Sequence, residues 1–383
     1  MNKNMTTRRR LLGTASAIAL SAPLIASNTA YAADADRPVL WIEGGWHFED
    51  VGGKNEQFVP PLDAATVANG FPSITSFEDL LGFSYGADGT ISFQPENSDW
   101  VFSASIRYGR AHGYRHKRID KQITGPRVMQ YHTPGGKHLK SGQVYMHTPY
   151  FSAYADETAS NSLNNTILDF AAGKDVGLGL FGHRTDSVIS FGARYARLHT
   201  ETALKANVLP YAVIHLIPNP VFHGKYAFDM THYNSASTLN RQSAFQGIGP
   251  SLSWSNSTPL AGNLEDGELA FDWGANAALL FGRQKTHVQH KSTANYFAGG
   301  GQPNYILTRS VPGGNHRTNS RRITVPNAGG FAGISYRFSD AKLSLGYRVD
   351  YFFGALDGGI DKRHDITTSF NGPYASISIG LGD

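Results

Sequence analysis

The sequence predicts an all-β fold: a transmembrane, antiparallel, up-and-down β-barrel of about ten strands, within a range of eight to twelve, with long external loops. Three observations predict it. Apolar and polar residues alternate with a two-residue period in segment after segment. After residue 32 no apolar run approaches the roughly 20 residues that a spanning helix needs. Finally, the mean hydropathy is negative, yet aromatics make up 12% of the chain and glycine supplies 42 residues. A barrel reconciles these, because half of every strand faces its interior.

The chain opens on a targeting pattern. Lys3 and Arg8-Arg9-Arg10 form a basic start, Leu11 to Ile25 an apolar run, and Ala30-Tyr31-Ala32 a small-residue site for cleavage after Ala32. Residues 1–32 are expected to be a cleaved signal peptide and 33–383 a single barrel domain. Thr7-Arg8-Arg9-Arg10-Leu11-Leu12 also resembles a twin-arginine signal. A lipid-facing barrel cannot fold in the cytoplasm, which favours ordinary unfolded export. The formal charge of +4 falls to zero without the four cations of this segment, so nothing points to nucleic acid. There is no cysteine, which excludes disulfides, thiolate metal sites and a thiol nucleophile.

The candidate strands follow in order. Val39–Phe48 comes first. In Trp100–Gly109, Trp100, Phe102, Ala104, Ile106 and Tyr108 oppose Val101, Ser103, Ser105, Arg107 and Gly109. Thr166–Leu178 precedes Val188–Arg197, where Ile189, Phe191, Ala193 and Tyr195 oppose Ser190, Gly192, Arg194 and Ala196. Lys225–Tyr233, Phe245–Trp254, Leu269–Arg283 and Gly329–Phe338 are less regular. Lys342–Tyr351 and Tyr374–Leu381 alternate cleanly. Such lengths suit tilted strands crossing a hydrocarbon layer, for which roughly nine to eleven residues suffice. A soluble β-sandwich would also alternate. Aromatic faces along the whole chain and mid-strand charges on the complementary faces favour the barrel, and closure removes exposed edges.

The connections are uneven. Ser339-Asp340 and Gly179–Asp186 read as short turns, whereas Val51–Ser98, His116–Asn164, Thr286–Asn327 and Gly354–Asn371 read as long external loops. Gly247-Ile248-Gly249-Pro250 lacks the Lys-Ser/Thr of a phosphate loop and reads as a bend or bulge.

Several strands resemble those of a known family. Leu168-Asp169-Phe170 with Gly173 and Val176-Gly177-Leu178, then Ser190-Phe191-Gly192-Ala193-Arg194-Tyr195-Ala196, resemble a Gly-rich strand, a short turn and a second strand of the Legionella-type pore-forming, major-outer-membrane-protein-like family. Phe245-Gln246-Gly247-Ile248-Gly249-Pro250, Leu343-Ser344-Leu345-Gly346-Tyr347-Arg348 and Asn371-Gly372-Pro373-Tyr374 resemble further strands of that family. The likeness covers Asn164–Arg283 and Gly329–Leu381. It implies a bacterial outer-membrane barrel that forms a pore or serves as a surface protein, with no catalytic set. The chain departs from the usual aromatic terminus, ending Leu381-Gly382-Asp383. A signal for the barrel-insertion machinery is then expected in the internal Tyr374–Leu381 pattern.

The strand charges carry the functional expectation. Glu43, Arg107, Asp169, Arg194, Asp272, Arg337, Arg348 and Asp350 fall on the less apolar faces and are expected to line the lumen, where they would set ion selectivity. The alternative is a salt-bridged interior that fills a narrow barrel, since open aqueous channels belong to wider ones. Trp100, Phe102, Tyr108, Phe191, Tyr195, Tyr347 and Tyr351 are expected to face lipid. His112, His116, His132, His138 and His147 share one loop region and His287 and His290 lie three apart, but no metal-binding spacing appears. No cofactor or metal is expected. His290-Lys291-Ser292 is a local His/Ser pair of a kind that arises by chance, and geometry rather than proximity in sequence defines a catalytic site, so no catalytic residue is assigned. The basic runs Arg115-His116-Lys117-Arg118 with Lys121, and Arg317 with Arg321-Arg322, would suit lipid phosphates. The expected partners are outer-membrane lipids, with lipopolysaccharide a candidate. The expected function is a pore for small hydrophilic solutes or ions, without chemistry. A non-conducting surface barrel whose loops bind a ligand, lipopolysaccharide or a host factor is the alternative, and an outer-membrane hydrolase the least favoured.

Overall fold

The computed structural model describes residues 39–53, 57–58, 75–76, 81–95, 98–124, 150–176, 186–209, 213–218, 226–263, 266–299, 306–338, 341–360 and 362–381. The expected signal peptide, the Ser339-Asp340 turn, most of the 179–186 connection, His132, His138 and His147 lie outside them.

Thirteen strands follow one another: β1 (Val39–Gly52), β2 (Gln57–Phe58), β3 (Thr75–Ser76), β4 (Phe83–Gln94), β5 (Trp100–Thr124), β6 (Tyr150–Asp175), β7 (Asp186–Leu209), β8 (Val213–Pro218), β9 (Tyr226–Asn263), β10 (Gly267–Gly299), β11 (Ile306–Phe338), β12 (Ala341–Asp357) and β13 (Asp365–Leu381). All but β2, β3 and β8 form a closed antiparallel ten-strand barrel. Each pairs with its neighbour in sequence, β7 passes directly to β9, and β1 meets β13 to close the ring. Strands β2 and β3 pair as a small separate two-stranded sheet, and β8 pairs with the far end of β9. Closure leaves the barrel wall without a free edge.

The count of ten arises differently from the sequence expectation. Residues 226–233 of the candidate Lys225–Tyr233, and all of Phe245–Trp254, are parts of the single 38-residue strand β9. The polar interval between them, with Asn234, Ser235, Ser237, Thr238, Asn240 and Arg241, breaks the apolar alternation but not the backbone ladder. Conversely, β4 lies inside what reads as the first long loop. Its Phe83, Tyr85, Ile91 and Phe93 point outward, but Gly86, Asp88 and Gly89 between them carry turn chemistry. Two opposite errors cancel.

The long loops are corrected in the same way. Much of 116–164 and 286–327 is strand, because β5 and β6, and β10 and β11, stay paired well beyond the predicted ends, with one register shift at Tyr296/Phe297. The wall is therefore lopsided: β5, β6, β7, β9, β10 and β11 have 24 to 38 residues, whereas β1, β4, β12 and β13 have 12 to 17. All the long extensions rise at one end. At the other lie the close β9–β10 and β11–β12 connections, the start of β1 and the end of β13. The Gly-x-Gly-Pro segment is not a bulge either, since the register of β9 against β10 is the same before and after it. Gly249 is required by close approach. A Cβ there would meet the Leu279 carbonyl oxygen at 1.8 Å.

Candidate functional site

Alternation sends one side chain of each pair into the barrel and the other out. Near the short-turn end the outward set is apolar and exposed: Trp46 and Phe48, Phe102 and Tyr108, Phe191, Leu252, Phe271, Ile334, Leu345 and Tyr347. The seven residues expected to face lipid all point outward. Trp100, Phe102, Tyr108, Phe191, Tyr347 and Tyr351 are exposed, and Tyr195 is half-buried among its neighbours.

The inward set makes three layers. At the base Lys342 Nζ meets Asp272 Oδ2 at 2.5 Å, with both side chains buried. Ser257 donates to Asp272 at 2.6 Å and receives Arg337 at 2.9 Å, and Arg337 also pairs with Glu268 at 3.4 Å. On the adjoining strands β13 and β1, Ser376 donates to Glu43 at 3.0 Å.

The middle layer holds two arginine-centred networks. Arg107 donates to Asp350 at 2.6 Å and lies 3.8 Å from Glu49. Arg348 pairs with Asp88 at 3.4 Å and sits over the Tyr374 ring, 5.0 Å from its centroid. His47 Nδ1 is 3.5 Å from Asp88, and Gly86 is bare because a Cβ there would meet the His47 ring at 2.2 Å. Across the barrel, Arg194 clamps Asp169 through Nε at 2.7 Å and Nη2 at 3.0 Å, and its Nη1 donates to Asn276 at 2.6 Å and Asn327 at 2.5 Å. This forked geometry suits guanidinium and carboxylate planes. Between the networks lies a polar cavity of about 130 Å³, room for a few waters.

All eight residues expected in the interior lie on the inner face, each in one of these contacts. Alternation also places Glu49, His47, Asp88 and Lys342 there, and no functional role was assigned to them from sequence. Lys342 and the series Glu43, His47, Glu49 were readable from the two-residue period. Asp88 was not, because its strand was hidden.

Above the charges comes an apolar layer. Leu198, Phe245, Leu280, Val325, Phe352 and Phe370 are fully buried in one cluster with Val51, Leu163 and Ile167. Every barrel strand contributes except β4, where Leu81 just before it does so instead. The layer therefore crosses the whole section. Phe352 and Phe370 meet edge to face, centroids 6.1 Å apart.

The β12–β13 turn tucks over this layer, with Asp357, Gly358 and Gly359 buried. Arg241 donates to the Gly358 carbonyl at 2.6 Å, and Arg317 to the Gly359 carbonyl at 2.5 Å and Asp357 at 2.8 Å. Gln284 donates to the Ala355 carbonyl at 3.0 Å, and Ile360 packs on Leu204, Leu239 and Val288 of the extended wall. Burial alone would raise the Asp357 pKa. The bond from Arg317 and the N–H groups of His364 and Gly359 outweigh it and hold the carboxyl below its ordinary value. Arg317 and Arg321, grouped with Arg322 in the sequence reading, thus point inward, Arg321 bonding Gln284 and Asp365. Arg322 points out. Alternation splits the run.

Among the described residues no group of His, Asp and Glu could hold a metal ion. No family model matches the chain, and no curated protein matches it. Among solved structures it is distantly similar to a mutant of the monoaromatic hydrocarbon channel TodX (8% identity, 90% of each chain, TM-score 0.19). It is also similar to the P. putida toluene transporter TodX (10%, 92% of this chain and 91% of that one, 0.16). A third is the outer-membrane expressed OmpT of Vibrio cholerae (10%, 91% and 99%, 0.13). TM-scores at this level carry no argument, so the functional reading rests on the wall and its interior.

Proposed function

We propose that this chain is an outer-membrane β-barrel, closed to solutes in the conformation described, whose working surface is its tall outer wall. The observation that carries the closed interior is the layer of buried aromatic and aliphatic side chains spanning the section beneath the docked β12–β13 turn. Those side chains come from the wall itself, so withdrawal of the turn alone would not clear a path. The outward belt of Trp, Tyr, Phe and Leu supports residence in a lipid bilayer. The resemblance to Legionella-type barrels, read as pores or surface proteins, accommodates this reading.

Planar-bilayer recording of the purified protein tests it. No stepwise conductance is expected at high salt. Steady steps would reverse the order of readings, in favour of a pore for small hydrophilic solutes or ions. The observation favouring that second reading is the cavity among Arg107, Arg194, Arg348, Asp88, Asp169 and Asp350, whose two signs of charge suit an ion path.

A further inference from the structure

On the outer side of β7, β9, β10 and β11 the apolar belt ends abruptly. Tyr195, Ile248, Phe281 and Thr324 lie in one row across the four strands. The next outward row, one pleat higher, is Arg197, Gln246, Arg283 and Arg322. All four are exposed, as is Lys285 one pleat above Arg283. Within two residues per strand, about 7 Å, the surface passes from rings and aliphatic chains to guanidinium groups.

The electrostatics of this row are unusual. Arg283 and Arg322 are direct cross-strand partners on one face, a placement that brings Cβ atoms to about 5 Å and destabilises like charges. Among the described residues neither side chain has an ion pair or hydrogen bond, nor has that of Arg197 or Lys285. The nearest outward acid on these strands, Glu201, is bonded to His199 and Gln242. The inward arginines, by contrast, are closely paired, as at Arg107, Arg194 and Arg317. A shallow groove runs over the boundary, apolar at Tyr195, Ile248 and Phe281 and cationic at Arg283 and Arg322.

We propose that this groove binds a phosphorylated glycolipid of the surrounding leaflet, acyl chains against Ile248 and Phe281 and a headgroup phosphate between Arg283 and Arg322. An oxygen-rich dianion bridging two forked guanidinium groups turns their repulsion into paired, charge-assisted hydrogen bonds. The acyl chains account for the apolar half, which a free phosphate would leave uncovered. The inference rests on the bilayer reading above.

The test reconstitutes the full chain in neutral phosphatidylcholine vesicles doped with diphosphoryl lipid A, with dephosphorylated lipid A, or with phosphatidylglycerol. Retained lipid is measured per folded barrel. Wild type is expected to retain diphosphoryl lipid A selectively. Arg283→Ala/Arg322→Ala should weaken that retention by roughly thirtyfold, whereas Arg283→Lys/Arg322→Lys keeps most of it. Equal retention of dephosphorylated lipid A or of phosphatidylglycerol, or an undiminished double alanine variant, overturns the proposal. Gel mobility before and after boiling separates the two readings. A barrel that inserts but lacks the preference refutes only the lipid site, and a protein that never inserts refutes the bilayer reading as well.

Discussion

The outer faces of the lower and upper parts of the same strands have opposite polarity. On β10, below the arginine row, Phe271, Leu279 and Phe281 face out and Asp272 and Asn276 face in. Above it, Lys285, Gln289 and Lys291 face out, while the inner face mixes Val288, packed with Leu204 of β7 and Leu239 of β9, with the polar Gln284, Thr286, His290 and Ser292. The lower barrel is apolar outside and charged inside. The upper barrel is polar outside and mixed inside, with a small apolar cluster set among buried polar groups. One continuous ladder can serve both because backbone pairing is indifferent to side-chain polarity, whereas each face must suit its solvent.

The comparison breaks most readily at the buried base. Lys342→Met strands the Asp272 carboxylate in the interior and should cost about 3–5 kcal/mol. The Lys342→Met/Asp272→Leu double should recover most of that. Urea unfolding followed on unboiled gels measures both, and a single variant as stable as wild type would deny the pair its buried setting. Neighbours on β10 sharpen the contrast of faces. Leu280→Ala opens a cavity in the apolar layer at about 2–5 kcal/mol, while Leu279→Ala on the outer face should cost under about 1 kcal/mol. Similar losses for both would mean the two sides of the wall are not distinct.

An outward charge tells lower from upper. Ala275→Arg, in the belt, should cost about 2–4 kcal/mol, and Gln289→Arg, on the same face higher up, within about 0.5 kcal/mol. Refolding yield into vesicles reads the difference.

A local effect is expected at the turn. Because the Asp357 carboxyl is held below its ordinary value, it contributes stability that is present above that value and lost as pH falls through the folded one. Hydrogen exchange over the β12–β13 turn should therefore accelerate as pH falls below the ordinary carboxylate range of about 4, beyond its intrinsic pH dependence. Asp357→Asn should loosen the turn at neutral pH by about 1–2 kcal/mol, seen as faster tryptic cleavage at the exposed Lys362 and Arg363. Unchanged exchange and cleavage would leave the turn held by its other contacts alone.

Sequence by itself determined the barrel, because a two-residue period with aromatic outward faces at Trp100–Tyr108, Ile189–Tyr195 and Leu343–Tyr351 has few other stable solutions. It also determined that Arg107, Arg194, Arg337 and Arg348 face inward, since parity along a strand is local. Their partners it could not supply. Arg107 reaches Asp350 across 243 positions of chain, and such pairings depend on which strands the closed ring sets facing each other. Tertiary structure alone decided that Asn234–Arg241 stays strand, that 83–94 becomes one, and that Arg317 turns in while Arg322 turns out. Where pairing with neighbours outweighs local propensity, a polar stretch is held in the ladder, and only the assembled wall says which solvent each of its faces meets.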